Sequence, residues 1–281
     1  MIRRFAAGTA VAAGLTLTLT GCLGDAKEGA SEAGKNIRLS AAQILGQSAE
    51  KAGKADSYKA DVIVDSQLTQ GAMKMEMSVA TRTKPDVAMQ MNVKSMSMGG
   101  QTVPGYEARI VGDYMYLKMP ALASRNGGKP WARISLTSAG QAAGGMNLKQ
   151  MLDQSKQQNP AEQTKMLTAS KDVREVGTEN VGGVQTRHYT GTVSPQEALA
   201  KLDPQNRAAM EKTYAQLGNA PIAFDLWVGD DSLPRKMVNK LQTQMGAVNT
   251  TMVFSDYGKP VDVAAPPAAE TGTPNIPGLT G

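Results

Sequence analysis

The sequence predicts an α+β domain with one large antiparallel β-sheet of about 10 or 11 strands, wide enough to curve, and a few helices on its concave side. Three observations predict this fold class. Apolar and polar residues alternate through most segments between residues 57 and 255, which is the period of half-buried strands. Most of these segments follow one another through short turns, without the strand and helix alternation of a parallel sheet. Three or four segments carry apolar residues at helical spacing instead, and these helices would either fill the concave side or leave an apolar cavity there.

The first predicted element is a helix. Ser40 and Gln43 have the spacing of a capping box at its start, and Gly53 ends it. The residues on its apolar face are Ile44, Leu45, Ser48, Ala49 and Ala52.

The predicted strands form two groups on either side of a helical interlude. The first group is Val62–Leu68, Met73–Val79, Val87–Val93, Tyr106–Val111, Tyr114–Met119 and Trp131–Leu136, and the second is Asp172–Gly177, Val184–Val193, Ile222–Val228, Arg235–Thr243 and Val248–Ser255. A helical interlude is predicted over Met146–Gln157, with a resumption near Ala161–Ala169, and two further helices over Pro195–Leu202 and residues 204–217. Ser194 and Glu197 form a capping box around Pro195, which gives the helix Pro195–Leu202 a well-defined start.

Residues 1–21 have the composition of a lipoprotein signal peptide. Arg3 and Arg4 form a basic start, and an apolar stretch follows that is too short to span a bilayer reliably. The stretch ends in a lipobox, in which three residues for signal-peptidase recognition precede a thiol that a diacylglyceryl group can cap: Leu19, Thr20, Gly21 and Cys22. Cys22 is therefore the predicted lipidation site, and the predicted location is the extracytoplasmic face of the cell membrane.

Composition divides the remaining chain into three parts. Residues 22–39, the lipidated Cys22 and a small, polar segment after it, are predicted to form a flexible tether. Residues 40–259 have the length and pattern of one domain. Residues 260–281 are rich in Pro, Ala, Gly and Thr and predict a disordered tail. Because Cys22 is the only cysteine, the domain depends on packing rather than on an internal disulfide.

Composition and charge exclude several functional classes. Loss of Arg3 and Arg4 lowers the net charge from +5 to +3, and aromatic residues make up only 4% of the chain, so nucleic-acid binding is not expected. His188 is the only histidine and is expected to be structural, and Asp230-Asp231 has the composition of a turn. The sequence therefore predicts no enzyme, no cofactor and no metal site.

Methionine is the unusual feature of the composition, with 17 residues in the chain. Seven of them are Met73, Met75, Met77, Met89, Met91, Met96 and Met98. Three interpretations stay open: the side chains pack the sheet against helices, they line a cavity for acyl chains, or Met-x-Met pairs bind copper(I). The candidate cavity residues are the apolar face of two strands: Met73, Met75, Met77, Val79, Val87, Met89, Met91 and Val93.

Short motifs spread over the domain carry a family resemblance. The first is the lipobox at Cys22. The others are Asp56-Ser57-Tyr58, Tyr116-Leu117-Lys118 with Trp131, the run from Asn180 to Tyr189, Asp225-Leu226-Trp227-Val228 with Leu233-Pro234-Arg235-Lys236, and Phe254-Ser255-Asp256-Tyr257-Gly258. As a set they resemble the LppX_LprAFG (LppX/LprG-type) lipoproteins of actinobacteria, which are similar in fold to the LolA/LolB lipoprotein carriers. The resemblance implies a half-barrel around helices with an apolar pocket, and members with a large pocket carry lipids or lipidated glycans toward the envelope surface.

Two hypotheses for function follow from these features together. The first is a membrane-anchored lipoprotein whose half-barrel binds an acyl-chain lipid or glycolipid and assists its transport or retention in the envelope. The second is a sensor or interaction module with a filled core, no lipid cargo and an envelope protein as its partner.

Overall fold

The computed structural model describes residues 41–69, 71–136, 159–202 and 218–274, together with the single positions 204, 207, 211, 214 and 215. The single positions are helical. Helix α1 covers residues 41–53, and the shorter helices are α2 (Pro120–Ala123), α3 (Pro160–Leu167) and α4 (Pro195–Leu199). The strands are β1 (Ser57–Leu68), β2 (Gly71–Arg82), β3 (Ala88–Met98), β4 (Gln101–Val103), β5 (Tyr106–Val111), β6 (Tyr114–Lys118), β7 (Trp131–Ser135), β8 (Arg174–Val181), β9 (Val184–Val193), β10 (Ile222–Gly229), β11 (Pro234–Thr243), β12 (Gly246–Ser255) and β13 (Thr271–Gly272).

All thirteen strands belong to one open sheet. Their order is β13-β7-β6-β5-β3-β2-β1-β12-β11-β10-β9-β8, and β4 pairs with β3 beside this path. Strand pairs are antiparallel, except that β13 runs parallel to β7. Strand β1 lies near the middle and joins the two halves of the sheet, because it pairs with β2 on one side and with β12 on the other.

The period-2 pattern separates the two faces of the central strands. On one face, Val62 of β1 lies opposite Met77 of β2 and opposite Met252 of β12. The alternate positions carry polar groups such as Asp61, which pairs with Lys94 on the other face. We call the apolar side the inner face and the other side the outer face.

The main core lies between the inner face and helices α1, α3 and α4. Its largest fully buried side chains include Leu45 of α1, Tyr189 of β9, and Phe224 and Leu226 of β10. The predicted apolar stripe of α1 is confirmed, since Leu45, Ser48, Ala49 and Ala52 are all buried.

Helix α4 begins as the sequence predicts. The Ser194 side chain accepts a hydrogen bond from the Glu197 N–H, the Glu197 side chain accepts from the Ser194 N–H, and Pro195 is the first helical residue. The helix ends at Leu199, three residues before the predicted end at Leu202.

The C-terminal residues 261–272, which we call the C-terminal strap, lie against the outer face. Val261 and Val263 are buried against Ala88 of β3, and residue 271 of β13 pairs with Trp131. Side chains of the sheet also bind the strap's main chain, as Arg109 Nη1 donates to the Ala264 carbonyl oxygen at 3.2 Å. The predicted disorder is therefore wrong for residues 260–274. Val261 and Val263 supply buried apolar area, although the many prolines and alanines of this stretch predict disorder.

The structure confirms the predicted fold class, an α+β domain with a large antiparallel sheet, and adds two strands to the predicted 10 or 11. The additional strands are β4 and β13. They have only three and two residues, which is too short for an alternation of apolar and polar residues to be recognised. Several predictions concern residues outside those that the structure describes: the lipobox Leu19–Cys22, the tether to residue 39, the cap at Ser40 and the helix Met146–Gln157.

Replacing Val263 with Asp tests the strap. The side chain is 3% exposed, so a carboxylate there is buried without a partner, and we expect the free energy of unfolding to fall by about 2–4 kcal/mol. Urea denaturation measures the loss, and Ala264→Asp is the matched control because the neighbouring side chain is exposed. Equal stabilities of the two variants would contradict the packing of the strap.

Candidate functional site

A cavity of about 520 Å³ lies on the inner face of the sheet, under helix α3 and residue Tyr214. Six successive strands of the sheet contribute to it: β10, β11, β12, β1, β2 and β3. Fourteen of its nineteen lining residues are aliphatic, methionine or phenylalanine: Ala60, Val62, Val64, Met75, Met77, Val79, Met89, Met91, Met166, Ile222, Leu241, Val248, Met252 and Phe254.

The cavity wall carries no charge among the described residues. Its other lining residues are Tyr58, Gln163, Tyr214, Asn239 and Thr250. Burial raises the pKa of Tyr58 and of Tyr214, so both hydroxyls stay neutral at physiological pH. A wall of this kind suits an apolar ligand with few polar groups.

Five of the eight cavity residues predicted from the sequence line this space: Met75, Met77, Val79, Met89 and Met91. The other three lie elsewhere in the described structure. Met73 is near the end of β2, opposite Met98, and Val87 precedes β3. Val93 is 1% exposed and lies beside a different groove.

A β-bulge in β3 brings the methionines of β2 and β3 to one face. Glu76 pairs with Ser95 and Met77 pairs with Val93, so Lys94 between them has no paired residue on β2. The extra residue reverses the alternation of β3 at this point. As a result, Met91 before the bulge and Met96 after it lie on the same side of the sheet.

The sequence did not predict the half of the wall that comes from β1, β10, β11 and β12. Val64, Leu241 and Val248 belong to this half, and β12 has a clear period-2 pattern from Val248 to Phe254. That pattern identifies an inward face but not its neighbours. The pairing of β1 with β12 joins residues almost 200 positions apart, which no local spacing specifies.

Asn239 is the polar group in the wall that stands out. Its side-chain oxygen is buried and has no hydrogen-bond partner among the described residues, while its amide nitrogen lies 3.7 Å from Met237 Sδ. A buried acceptor without a partner costs free energy, about 1–3 kcal/mol. Thr250 lies directly opposite on β12 and also lines the cavity, so the two form a polar spot on an apolar wall.

The side chains considered for catalysis lie away from the cavity. His188 stacks on Trp227 at 4.1 Å between ring centroids, and its ring nitrogens are each 3.0 Å from a carboxylate oxygen, of Glu179 and of Asp225. Asp231 accepts a hydrogen bond from the Leu233 N–H and pairs with Arg235 inside the turn. Both arrangements are structural, as the sequence predicts.

A second groove, of about 490 Å³, lies on the outer face between β3, β5 and α2. Lys94, Glu107 and Lys118 stand in its wall, so it lacks the uncharged character of the inner cavity. No group of three or more His, Cys, Asp or Glu side chains that could hold a metal occurs within the described part of the chain. In the same residues, the helices are too short or too polar to cross a bilayer.

Comparison with known proteins places the chain in a family. A model of the LppX_LprAFG lipoprotein family matches residues 40–263. An uncharacterized 31.2 kDa protein in the rplA–rplJ intergenic region of Streptomyces griseus is 36% identical over 172 residues, which make up 59% of this chain and 55% of that protein. The chain spans about half the length of the curated relatives that it matches.

Two solved structures share the fold. LprF from Mycobacterium bovis has 17% sequence identity and a TM-score of 0.52, over 81% of this chain and 97% of that chain. The lipoprotein LppX from Mycobacterium tuberculosis has 15% identity and a TM-score of 0.50, over 80% of this chain and 99% of that chain. The family match confirms the resemblance drawn from the motifs, and this chain belongs to the LppX_LprAFG lipoprotein family.

Proposed function

We propose that this lipoprotein binds an acyl-chain lipid or a lipidated ligand in the inner cavity and assists its transport or retention in the cell envelope. The observation that carries the proposal is the cavity itself, a space of about 520 Å³ with an uncharged, largely apolar wall. Binding sites for small molecules have volumes of roughly 300–1,000 Å³, and the burial of apolar ligand surface drives binding to them.

The shape and the side chains of the wall suit a flexible chain. The six strands that contribute to the wall span roughly 24 Å across the sheet, at about 4.8 Å per strand spacing. Six of the lining residues are methionines, whose unbranched and polarizable side chains adapt to ligands of different shape. Asn239 and Thr250 would orient the ligand, because both line the cavity and an amide and a hydroxyl can form hydrogen bonds with the polar groups of a lipid head.

The alternative function, a sensor or interaction module with a filled core, has less support. It requires helices packed directly on Met75, Met77, Met89 and Met91, but within the described residues these side chains line a cavity of about 520 Å³. The copper(I) interpretation of the Met-x-Met pairs stays a prediction. Titration of copper(I) against a competing chelator tests it, and an affinity no better than background would remove it.

The proposal predicts that blocking the cavity abolishes acyl binding. Val62 lines the cavity, whereas its neighbour Ile63 is 40% exposed on the outer face. We expect Val62→Trp to weaken binding of a fluorescent fatty-acyl probe by roughly tenfold or more, a loss of at least about 1.4 kcal/mol, because the indole occupies the middle of the cavity. Ile63→Trp is the matched control and should bind the probe as the parent does. Equal binding by both variants, with circular dichroism showing intact folds, would contradict the proposed site.

A second prediction concerns the polar spot. Replacing Asn239 with Leu removes the unpaired acceptor, so the ligand-free domain should gain about 1 kcal/mol in the free energy of unfolding. The same variant should lose affinity for a probe with a hydrogen-bond donor in its head group and keep its affinity for a probe without one. Asn249→Leu is the control, because Asn249 is exposed on the neighbouring strand. A parallel loss for both probes would show that Asn239 does not select the head group.

A third prediction concerns the anchor. Cys22→Ala removes the thiol that would carry the lipid, so we expect the protein to leave the membrane fraction for the medium, or to stall before cleavage of the leader. Fractionation and immunoblotting measure the distribution. The domain should keep its thermal stability, and tight membrane association of a cleaved Cys22→Ala protein would show that the anchor is misassigned.

A further inference from the structure

Three hairpin turns lie side by side at one end of the sheet. They join β1 to β2, β3 to β4, and β11 to β12, and their strands are neighbours in the sheet. Leu68 at the first turn pairs with Gly71 across the hairpin and with Gly246 of the β11/β12 turn. Met98, at the β3/β4 turn, pairs with Met73 two residues beyond Gly71. We call residues 68–69, 71–73, 98–101 and 243–246 the hairpin rim.

Main-chain contacts hold the rim together. The Thr69 N–H donates to the Met245 carbonyl oxygen at 2.7 Å, and the Gly99 N–H donates to the Ala72 carbonyl oxygen at 3.0 Å. Gly246 has a φ of 127°, and a Cβ there would overlap the main chain of Gln67. The rim is therefore a continuous, ordered edge rather than three independent loops.

The rim and the strand ends next to it carry no charge. Residues 66–73, 95–106 and 241–255 contain no Asp, Glu, Lys or Arg, although these types make up 20% of the chain. At the same turns two methionines are exposed, Met98 with 58% and Met245 with 42% of its surface. Exposed apolar residues scattered singly are ordinary, but here they coincide with the end of the sheet that lacks charge.

Charged groups begin about 10 Å back from the turns. Asp65, Lys74 and Lys240 lie three residues from Leu68, Gly71 and Thr243 at the ends of the turns, a distance of roughly 10 Å at 3.4 Å per residue. All three lie on the outer face, where Lys74 pairs with Glu76 and Lys240 pairs with Asp225. An uncharged tip of about 10 Å followed by charged groups matches the depth of roughly 5–10 Å to which interfacial elements enter a bilayer.

The inner cavity extends toward this rim. Leu241 and Val248 line the cavity and lie two residues from Thr243 and Gly246 of the β11/β12 turn. Val64 and Met75 line it from the other side and lie four residues from the β1/β2 turn. The opposite end of the cavity contains Tyr58, Ala60 and Phe254, which belong to the packed core. The apolar wall therefore runs from the core toward the uncharged end.

We propose that the hairpin rim inserts Met98 and Met245 into the head-group region of a lipid bilayer and so presents the cavity to the membrane surface. The inference rests on the proposed function for what would enter the cavity, but the insertion itself stands on the rim alone. The chain from the predicted lipid anchor at Cys22 to residue 41 can extend to about 60 Å, which is enough to let the domain turn its rim toward the membrane. Insertion stops at the head groups, because the main-chain groups of the turns need water as a partner.

Site-specific fluorescence of the full, processed chain in phosphatidylcholine vesicles tests the insertion. Because Cys22 would be capped by lipid, one new cysteine can carry an environment-sensitive dye, and the parent chain supplies the blank. Met98→Cys and Met245→Cys place the dye on the rim. Val176→Cys is the matched control, since Val176 is an apolar residue with similar exposure, 47%, on the edge strand β8.

We expect the dye at 98 and at 245 to shift its emission to shorter wavelength on addition of vesicles and to be quenched by lipids that carry a spin label near the head group. The dye at 176 should do neither. Equal responses at all three positions would overturn the inference. A short-wavelength emission at 98 and 245 already present in buffer would also overturn it, because a second copy of the chain would then cover the rim.

Transfer of a fluorescent fatty-acyl probe from vesicles separates this inference from the proposed function. The double variant Met98→Asp/Met245→Asp should take up the probe from vesicles several-fold more slowly than the parent, and Val176→Asp should not, while both bind free probe with the parent's affinity. Probe binding without dye insertion would overturn the rim inference alone. Insertion of the rim in a protein that binds no acyl probe would overturn the proposed function and leave the membrane contact established.

Discussion

The pairing of β1 with β12 is the constraint on which the rest of the structure depends. It joins residues 59–68 to residues 246–255 and so unites two antiparallel halves in one sheet. The cavity wall runs across this seam, from β10, β11 and β12 through β1 to β2 and β3. The seam also sets the three turns of the hairpin rim beside one another, since the Thr69 N–H reaches across it to Met245. Both the cavity and the rim therefore exist only in the assembled sheet.

Local elements were predictable because their chemistry is local. The capping box of Ser194 and Glu197 fixes the start of α4 within four residues, and the alternation of β2 predicts its inward methionines directly. The same logic predicts five of the cavity residues from β2 and β3. It does not predict the half of the wall that contains β1 and β12. The pattern of a strand indicates which side chains point inward, but it does not indicate which strand lies next to it. Proximity across almost 200 residues is a property of the complete sheet.

The sequence also did not predict the inward position of Met96 or the packing of the C-terminal strap, for different reasons. In β3, the bulge at Lys94 reverses the alternation, so Met96 rejoins the inner face although its spacing from Met91 is odd. In the C-terminal strap, Val261 and Val263 are only two apolar residues among prolines, alanines and charged groups, too few to predict packing. Their burial depends on Ala88, a small residue that leaves room on the outer face. A contact of this kind can be predicted only when the surface against which the valines pack is known.

Taken together, the cavity and the rim explain why an apolar inner face can persist without being filled by the protein's own side chains. Around α1, the inner face is covered by a packed core with Leu45, Phe224 and Leu226 fully buried, and this core supplies the stability that the cavity region forgoes. Toward the rim the wall stays apolar, with Leu241 and Val248 near the β11/β12 turn, and the charges of the outer face end about 10 Å before the turns. A protein that needed only to be stable would fill this space or place charge at its mouth. An apolar space that opens toward an uncharged edge is instead suited to a ligand that is itself insoluble, since such a ligand can move between bilayer and cavity without its chain crossing water.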